Sequence, residues 1–274
     1  MGIDIDLADR TCLVVGGGGG GIGTAMVEAA ARAGATVGLI TNLAEHADDS
    51  LERLRAMGAT AAAAVADVTD EAALVAAVAT VAHQLGPIRH LVNVVGGNLA
   101  EDYQRAAELD LEAFDRVVAR NLRYAVVACR EVARPLLASG QGGSMVNVSS
   151  GAARGSSLLG PYAAAKSGLE AYSRTMALEW GPSAIRVNVV SLGSVRTPRT
   201  GQDDNAAAAA AIPLRRRGDP AEVADVAMFL LSDLAAYVTG QTVSVDGGIG
   251  LGGPGGTELS RFSTRADVRA RLER

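Results

Sequence analysis

The amino-acid sequence predicts an α/β protein, a doubly wound parallel sheet of seven strands with helices on both faces. Short apolar runs alternate with helix-length segments along nearly the whole of the 274 residues. A glycine-rich turn, Gly16 to Gly23, separates the first apolar run from the first helical segment. No internal repeat appears along the chain. Together these observations favour one parallel sheet with crossover helices.

Each strand is predicted from a short run rich in valine, leucine, isoleucine or alanine. Because helical segments separate these runs, the strands are expected to lie parallel, in a sheet covered on both faces. In such sheets ligands bind beyond the carboxyl ends of the strands, where the strand order reverses. The seven predicted strands span 12–15, 36–41, 61–65, 88–95, 144–148, 185–190 and 241–245.

The helices are predicted from apolar spacing and from residues typical of helix ends. Thr69 is the expected N-cap of the third helix, Gly58 the expected C-cap of the second, and Pro161 lies in a first turn. The tail from Thr257 to Arg274 reads as a short charged helix. The main predicted helices span 24–34, 44–57, 69–86, 111–137, 161–180 and 220–231.

The run from Gly16 to Gly23 is the most informative stretch. It follows the apolar segment from Cys12 to Val15 and opens an alanine-rich helix. Glycine lets a backbone approach a ligand closely, and a helix N-terminus attracts anions, so a pyrophosphate fits this turn. A flexible linker is the alternative, but linkers are not usually held between a buried strand and an amphipathic helix. A glycine motif alone is weak evidence, so the rest of the chain must support it.

The composition excludes several classes of protein. The net charge is −5, the sequence pI is about 5.3, and the basic run Arg215–Arg217 stands alone, which argues against a nucleic-acid-binding surface. Aromatic residues make up 3% of the chain, so a substrate pocket is expected to be aliphatic. The chain shows no signal-peptide pattern and no membrane-length apolar stretch, so a cytoplasmic location is expected.

The cysteines and histidines favour neither a disulfide framework nor a metal site. Cys12 and Cys129 fall in a predicted strand and a predicted helix, where buried free thiols are expected. His46, His83 and His90 lack the spacing of metal ligands, so no metal is expected.

Tyr162 and Lys166 lie four residues apart on one predicted helix and therefore share a face. An ammonium beside a phenol stabilises the phenolate and lowers the pKa of the tyrosine, which makes it a candidate acid or base. An ordinary surface pair is the alternative. Other polar residues favour a catalytic role for this pair. Ser149 and Ser150 end the fifth predicted strand, and Asn121 lies in the middle of a predicted helix, where asparagine is unfavourable.

With these motifs, the chain resembles the short-chain dehydrogenase/reductase family, in its single-domain branch with a Rossmann-type fold, and is similar to 3-oxoacyl-carrier-protein reductase-like members. The match runs from about Leu7 to Gly248. It implies one oxidoreductase domain over 1–250 and a tail over 251–274. The matching motifs are Gly17, Gly21 and Gly23; Asp67 with Val68; 93–96; Asn121, Ser150, Tyr162 and Lys166; 213–215; 218–224; 237–241; and 245–248.

Three positions depart from the family's usual pattern. Gly16 stands where threonine is usual, which suggests a looser glycine loop. Val94 and Val95 replace an asparagine and an alanine, and Leu192 replaces a proline.

The resemblance implies a catalytic tetrad of Asn121, Ser150, Tyr162 and Lys166. Tyr162 would donate a proton to a carbonyl during direct hydride transfer from nicotinamide C4, and Ser150 would hydrogen-bond the same oxygen. Lys166 would bind the nicotinamide ribose, and Asn121 would hold a water in a proton relay. The residue order of the motif favours Ser150 as the catalytic serine, whereas the spacing from Tyr162 fits Ser149. The choice between the two serines therefore stays open.

The resemblance also implies a cofactor site. An acidic residue at the end of the second strand would select NAD(H), but Thr41 and Asn42 stand there, and neither Gly20 nor Asn42 is basic. NADP(H) is therefore expected to be weakly preferred, with NAD(H) possible. The expected cofactor-binding residues are Gly17, Gly20, Gly21, Ile22, Gly23, Thr41, Asn42, Asp67, Val68, Asn93, Gly96, Tyr162, Lys166, Gly193, Val195 and Thr197.

The leading interpretation is an NAD(P)-dependent oxidoreductase that acts on a ketone or secondary alcohol. A non-catalytic NAD(P)-sensing or scaffold protein on the same fold is the alternative, because a fold does not determine function. A sugar-nucleotide epimerase or dehydratase is disfavoured, since its substrate domain is missing. The sequence does not identify the small-molecule substrate. The resemblance further implies a homo-oligomer, a tetramer.

Overall fold

The computed structural model describes residues 4–198, 200 and 209–251. Seven parallel strands form one sheet in the order β3-β2-β1-β4-β5-β6-β7. The predicted α/β class, the parallel sheet and its seven strands are therefore confirmed. The strands are β1 (Thr11–Val15), β2 (Thr36–Thr41), β3 (Ala61–Val65), β4 (Ile88–Asn93), β5 (Gly143–Ser150), β6 (Ile185–Leu192) and β7 (Thr242–Val245).

Helices cover both faces of this sheet and divide the apolar core into two clusters. Met26, Val27 and Met228 pack on one face, whereas Leu74, Val132 and Leu169 pack on the other. The helices are α1 (Ile22–Arg32), α2 (Ala44–Ala56), α3 (Glu71–Leu85), α4 (Leu111–Val118), α5 (Tyr124–Ser139), α6 (Gly160–Trp180) and α7 (Pro220–Leu231).

The strand order reverses at β1, which pairs with β2 on one side and with β4 on the other. The chain therefore leaves β1 and β4 toward opposite sides of the sheet, and a crevice opens between the loops that follow them. This crevice holds the candidate site.

The long predicted helix over 111–137 is interrupted. A π-helical turn, Ala119–Arg123, joins α4 to α5 and carries the fully buried Asn121. The Asn121 amide donates hydrogen bonds to the carbonyls of Val117 and Gly97, at 2.9 and 3.1 Å. Such single π turns are frequent at functional sites, and helical spacing alone does not reveal them.

Several predicted boundaries differ from the structure by one or more residues, and two of these differences lie at the site. The N-cap of α3 is Asp70, whose carboxylate accepts the Ala73 N–H at 3.1 Å, and not Thr69. Thr69 instead donates its N–H and its hydroxyl to Asp67. β4 ends at Asn93 and not at residue 95, because the backbone leaves the sheet there to form the wall of the crevice.

Two further expectations concern the chain ends and membranes. The predicted tail, apart from Leu251, lies outside the described residues. Within the described ranges, no helix combines the length and the apolar character needed to cross a membrane.

Candidate active site

A cavity of about 650 Å³ opens at the carboxyl edge of the sheet. The glycine loop after β1 forms one wall, and the ends of β2, β4, β5 and β6 form the others. It extends from Asp67 and Val68 at one end to Tyr162 and Lys166 at the other. The crevice predicted from the strand order is therefore a continuous site.

The glycine loop is held tightly against α1. A Cβ added at Gly23 would lie 1.8 Å from the Gly16 carbonyl oxygen, so only glycine permits this approach. Gly16 adopts a φ of 99°. The Gly20 N–H donates to the Thr24 hydroxyl at 2.9 Å, which ties the loop from within α1. The looser loop expected from the missing hydroxyl at Gly16 thus has this internal tether.

The N-terminus of α1 faces the same cavity. Gly21 is its N-cap and provides no side-chain cap, so the first-turn N–H groups of this 11-residue helix are left for another acceptor. Gly21, Ile22 and Gly23 all border the cavity. This arrangement suits an anionic group such as a pyrophosphate.

Tyr162 and Lys166 share one face of α6 and border the cavity together. The Lys166 Nζ lies 5.8 Å from the centroid of the Tyr162 ring. Although its side chain is 2% exposed, the ammonium is satisfied in part by the Val148 carbonyl at 2.8 Å. Lys166 thus places its buried amino group near the Tyr162 ring, at the wall of the cavity.

Asn121 supports the wall behind these residues. Its Oδ1 accepts the Gly97 N–H at 2.8 Å. A Cβ added at Gly96 would lie 2.8 Å from that Oδ1 and 3.0 Å from the Lys166 Nζ. Glycine at position 96 therefore lets Asn121 and Lys166 approach the same stretch of backbone.

The two serines at the end of β5 have different partners. Ser149 is buried, and its hydroxyl donates to the Glu170 carboxylate at 2.7 Å. Ser150 is partly exposed, and its Oγ accepts the Ala152 N–H at 3.2 Å. Because that bond uses Ser150 as an acceptor, its O–H is left to donate toward the cavity.

The far end of the cavity is formed by the ends of β2 and β3. Asp67 accepts hydrogen bonds from the Thr69 N–H and hydroxyl at 2.9 and 2.8 Å, and these bonds lower the pKa of the Asp67 carboxyl. Thr41, Asn42 and Val68 border the same end. An ionised, oriented carboxylate there suits recognition of amino or hydroxyl groups.

Tyr124 lies close to Tyr162, but its hydroxyl is bonded to the protein backbone. It is fully buried, and its hydroxyl donates to the Val95 carbonyl at 2.8 Å. Burial raises the pKa of Tyr124 well above its ordinary value, with Cys129 and Tyr162 adding to the shift. Tyr124 therefore remains neutral, and Tyr162 is the tyrosine that borders the cavity within the described residues.

Most of the predicted site residues meet in this one cavity. They are Gly21, Ile22, Gly23, Thr41, Asn42, Asp67, Val68, Gly96, Ser150, Tyr162, Lys166, Gly193, Val195 and Thr197.

Gly17, Gly20, Asn93 and Asn121 do not border it. Asn93 lies inside the sheet, where its side chain is fully buried and its amide donates to the Asn147 Oδ1 at 2.8 Å. Gly17 packs beneath the loop, where a Cβ would lie 2.8 Å from the Leu39 Cβ.

Sequence reasoning missed Gly18, Gly19, His46 and Arg120, which also border the cavity. Arg120 lies beside Asn121 in the sequence, and that neighbourhood was a usable signal. His46 lies in the first turn of α2 and carries no motif. Among the described residues, no group of three His, Cys, Asp or Glu side chains is arranged to hold a metal ion.

Comparisons with known proteins point to one family. The family model described as enoyl-(acyl carrier protein) reductase matches residues 17–250. The cis-4-hydroxycyclohexanecarboxylate dehydrogenase of Sinomonas cyclohexanicum is 37% identical over 249 residues, which cover 88% of this chain and 96% of that enzyme.

Solved structures show the same fold. A short-chain type dehydrogenase/reductase from Mycobacterium ulcerans superposes with a TM-score of 0.83 at 32% identity, covering 90% of this chain and 91% of that one. An actinorhodin polyketide ketoreductase variant with NADPH superposes with a TM-score of 0.82 at 29% identity, covering 88% of this chain and 97% of that one.

The cavity also fits the cofactor that these similarities imply. The glycine loop forms a cradle at the cavity: it packs so closely on α1 that a Cβ at Gly23 would overlap the Gly16 carbonyl, and the uncapped N-terminus of α1 borders the cavity beside it. Asp67 and Lys166 stand at opposite ends of the same cavity, so one elongated dinucleotide can contact both. On the matched family model, the relatives and this geometry, the chain belongs to the short-chain dehydrogenase/reductase family and is an NAD(P)-dependent oxidoreductase.

Proposed function

We propose that this oxidoreductase transfers a hydride between a nicotinamide cofactor and a ketone or secondary alcohol, with Tyr162 as the general acid and base. One observation carries the proposal. Tyr162, Lys166 and Ser150 border the same cavity as the glycine loop, and the Lys166 Nζ is 5.8 Å from the Tyr162 ring. A proton donor, its activating charge and a dinucleotide cradle are thus in one place.

Each residue has a distinct part. When bound, the nicotinamide ring supplies the hydride or accepts it. Tyr162 gives a proton to the carbonyl oxygen in reduction and takes it back in oxidation. Ser150 donates a hydrogen bond to the same oxygen, which stabilises its developing charge. Lys166 favours the phenolate of Tyr162, and Asn121 holds the backbone at Gly97 in position.

The substrate class is tested by following reduced-nicotinamide absorbance with a panel of aliphatic and alicyclic ketones. The relative named for cis-4-hydroxycyclohexanecarboxylate makes that alcohol and its ketone sensible members of the panel. Turnover of any member supports the enzyme. Cofactor binding without turnover across the panel would favour the alternative, a non-catalytic NAD(P)-sensing protein.

Cofactor choice is proposed to favour NADPH modestly, with NADH accepted. Thr41, at the end of β2, borders the cavity and is not acidic, so the charge that would repel a 2′-phosphate is missing there. The similar ketoreductase was solved with NADPH.

Thr41→Asp is expected to shift the preference toward NADH, because the new carboxylate repels a 2′-phosphate. A change of about 10-fold or more in the ratio of kcat/KM values for NADPH and NADH is expected, from like charges in one site. Thr60→Asp, at an exposed position before β3 and at the opposite edge of the sheet, is the matched control. A wild type that strongly prefers NADH would show that the preference is misassigned.

We further propose that the protein is a cytoplasmic homo-oligomer, a tetramer. Leu178 on α6 is 81% exposed and Leu111 on α4 is 72% exposed, and a monomer would leave both apolar side chains in water. Light scattering at micromolar concentration is expected to give a multiple of the 27.8 kDa chain mass. Leu178→Lys should lower that mass if α6 forms a contact, whereas a wild-type mass near 27.8 kDa would refute the assembly.

A further inference from the structure

Arg120 borders the cavity, but the proposed proton transfer and the glycine cradle do not use it. It lies in the π turn directly before Asn121. Its side chain is 25% exposed, so part of the guanidinium or its stem remains accessible. A charged side chain in the wall of a substrate cavity is a candidate for recognising a polar group of the ligand.

The position of the Arg120 guanidinium is near the catalytic end of the cavity. Its Nε lies 3.4 Å from the Gly97 carbonyl oxygen, to which the Asn121 amide also donates. The adjacent Gly96 packs on the active site, because a Cβ added there would lie 3.0 Å from the Lys166 Nζ. A substrate that reaches Tyr162 therefore passes close to Arg120.

A buried carboxylate fixes the orientation of Arg120. The Arg120 Nη2 is bonded to the Asp102 Oδ2 at 2.5 Å, and the same oxygen accepts the Leu99 N–H at 2.7 Å. Asp102 ends a short turn, Ala100–Asp102, in the segment that follows β4. A buried ion pair is often no more stabilising than apolar residues of the same size, so stability alone does not account for this pair.

Arg120 retains hydrogen-bond donors for a ligand. A guanidinium has five N–H groups, which is enough for two carboxylates. The Nε faces Gly97 and one Nη2 hydrogen is used by Asp102. Within the part of the chain that the structure describes, the Nη1 group makes no hydrogen bond.

The acidic side chains nearby leave room for an anion on the cavity side. Of the described residues that border the cavity, Asp67 is the acidic one, and it lies at the far end. Asp102 and Glu170 do not border the cavity; Asp102 is behind Arg120, and Glu170 accepts the Ser149 hydroxyl. A negative group beside the Arg120 Nη1 would therefore meet donors and no facing carboxylate.

We propose that Arg120 binds a carboxylate carried by the substrate, so that the enzyme acts on keto acids or hydroxy acids whose anionic group lies away from the reacting carbon. Asp102 holds the guanidinium in place, and its free N–H groups form charge-assisted hydrogen bonds to the substrate. This inference rests on the proposed function and names its substrate class.

The test measures binding without turnover, by calorimetry on the enzyme loaded with NADP+. The probes are two pairs of equal shape and different charge, cyclohexanecarboxylate with cyclohexanecarboxamide and butyrate with butyramide. Wild type is expected to bind at least one carboxylate about 10-fold more tightly than its amide, as a charge-assisted contact provides.

The variant Arg120→Met/Asp102→Asn removes both charges, so no carboxylate is left buried and unpaired. It should lose most of the preference for the carboxylate and keep the affinity for NADP+. Arg116→Met/Glu112→Gln is the matched control, because this pair also joins an arginine to an acid, is 55% and 89% exposed and does not border the cavity. The control should bind all four probes as wild type does.

The possible results separate this inference from the proposed function. If wild type does not bind NADP+, the proposed function fails and the inference with it. If NADP+ binds but neither carboxylate binds more tightly than its amide, the inference alone is overturned. It is also overturned if Arg120→Met/Asp102→Asn keeps the preference, or if this variant weakens NADP+ by the same factor, which would place Arg120 against the cofactor. Unchanged NADP+ affinity shows that the variant is folded.

Discussion

Tyr162→Phe is expected to lower turnover by ~10²–10⁴-fold while leaving cofactor affinity nearly unchanged. The substitution removes the phenolic hydroxyl, which is the proposed proton donor at the substrate oxygen, and keeps the ring. Tyr124, the neighbouring tyrosine, cannot replace it, because its hydroxyl is buried and bonded to the Val95 carbonyl. Lys166 and its contact with the Val148 carbonyl remain, so the cofactor end of the site should be preserved.

The measurement combines single-substrate kinetics with titration of NADPH fluorescence. Tyr172→Phe is the matched control, because Tyr172 lies on the same helix, 46% exposed, and does not border the cavity. Its kcat should equal that of wild type. A Tyr162→Phe enzyme that keeps more than about a tenth of wild-type activity would show that another group donates the proton.

Gly23→Ala is expected to abolish cofactor binding and to destabilise the fold. The new Cβ would lie 1.8 Å from the Gly16 carbonyl oxygen, a backbone atom, so α1 and the glycine loop must move apart. Overpacking of this kind costs about 1–3 kcal/mol of unfolding free energy. The displacement also moves the first-turn N–H groups of α1 away from the anion that they are proposed to bind.

Denaturant unfolding and nucleotide titration measure the two effects separately. Gly181→Ala is the matched control, because Gly181 has helical dihedrals, a φ of −52° and a ψ of −44°, and a Cβ there meets nothing within 4 Å. That variant should match wild type in both measurements. A Gly23→Ala protein with wild-type cofactor affinity would disprove the proposed cradle.

The sequence-based predictions agree best with the structure for segments whose secondary structure depends on neighbouring residues. The segments 36–41, 61–65 and 220–231 have the predicted bounds, because continuous apolar runs and the Pro220 start signal are local features. The spacing of Tyr162 and Lys166 likewise determines that they share a face of α6. These features need no knowledge of distant contacts.

The differences lie where distant residues meet. In the π turn, the Asn121 amide donates to the carbonyl of Gly97, which belongs to another loop. Asn93 turns into the sheet because Asn147, on the neighbouring strand, accepts its hydrogen bond. Neither partner can be read from residues nearby in the sequence.

By itself, the sequence predicted the fold class and the seven strands, because apolar periodicity and element spacing are properties of the chain. The residues of the proposed tetrad came from the resemblance of its motifs to a known family. Only the tertiary structure decided that Ser149 is bonded to Glu170 and that His46 lies against Gly19. The physical reason is that packing of the helices against the sheet sets these contacts. This packing brings together side chains that lie far apart in the sequence, and their separation along the chain does not predict the contact.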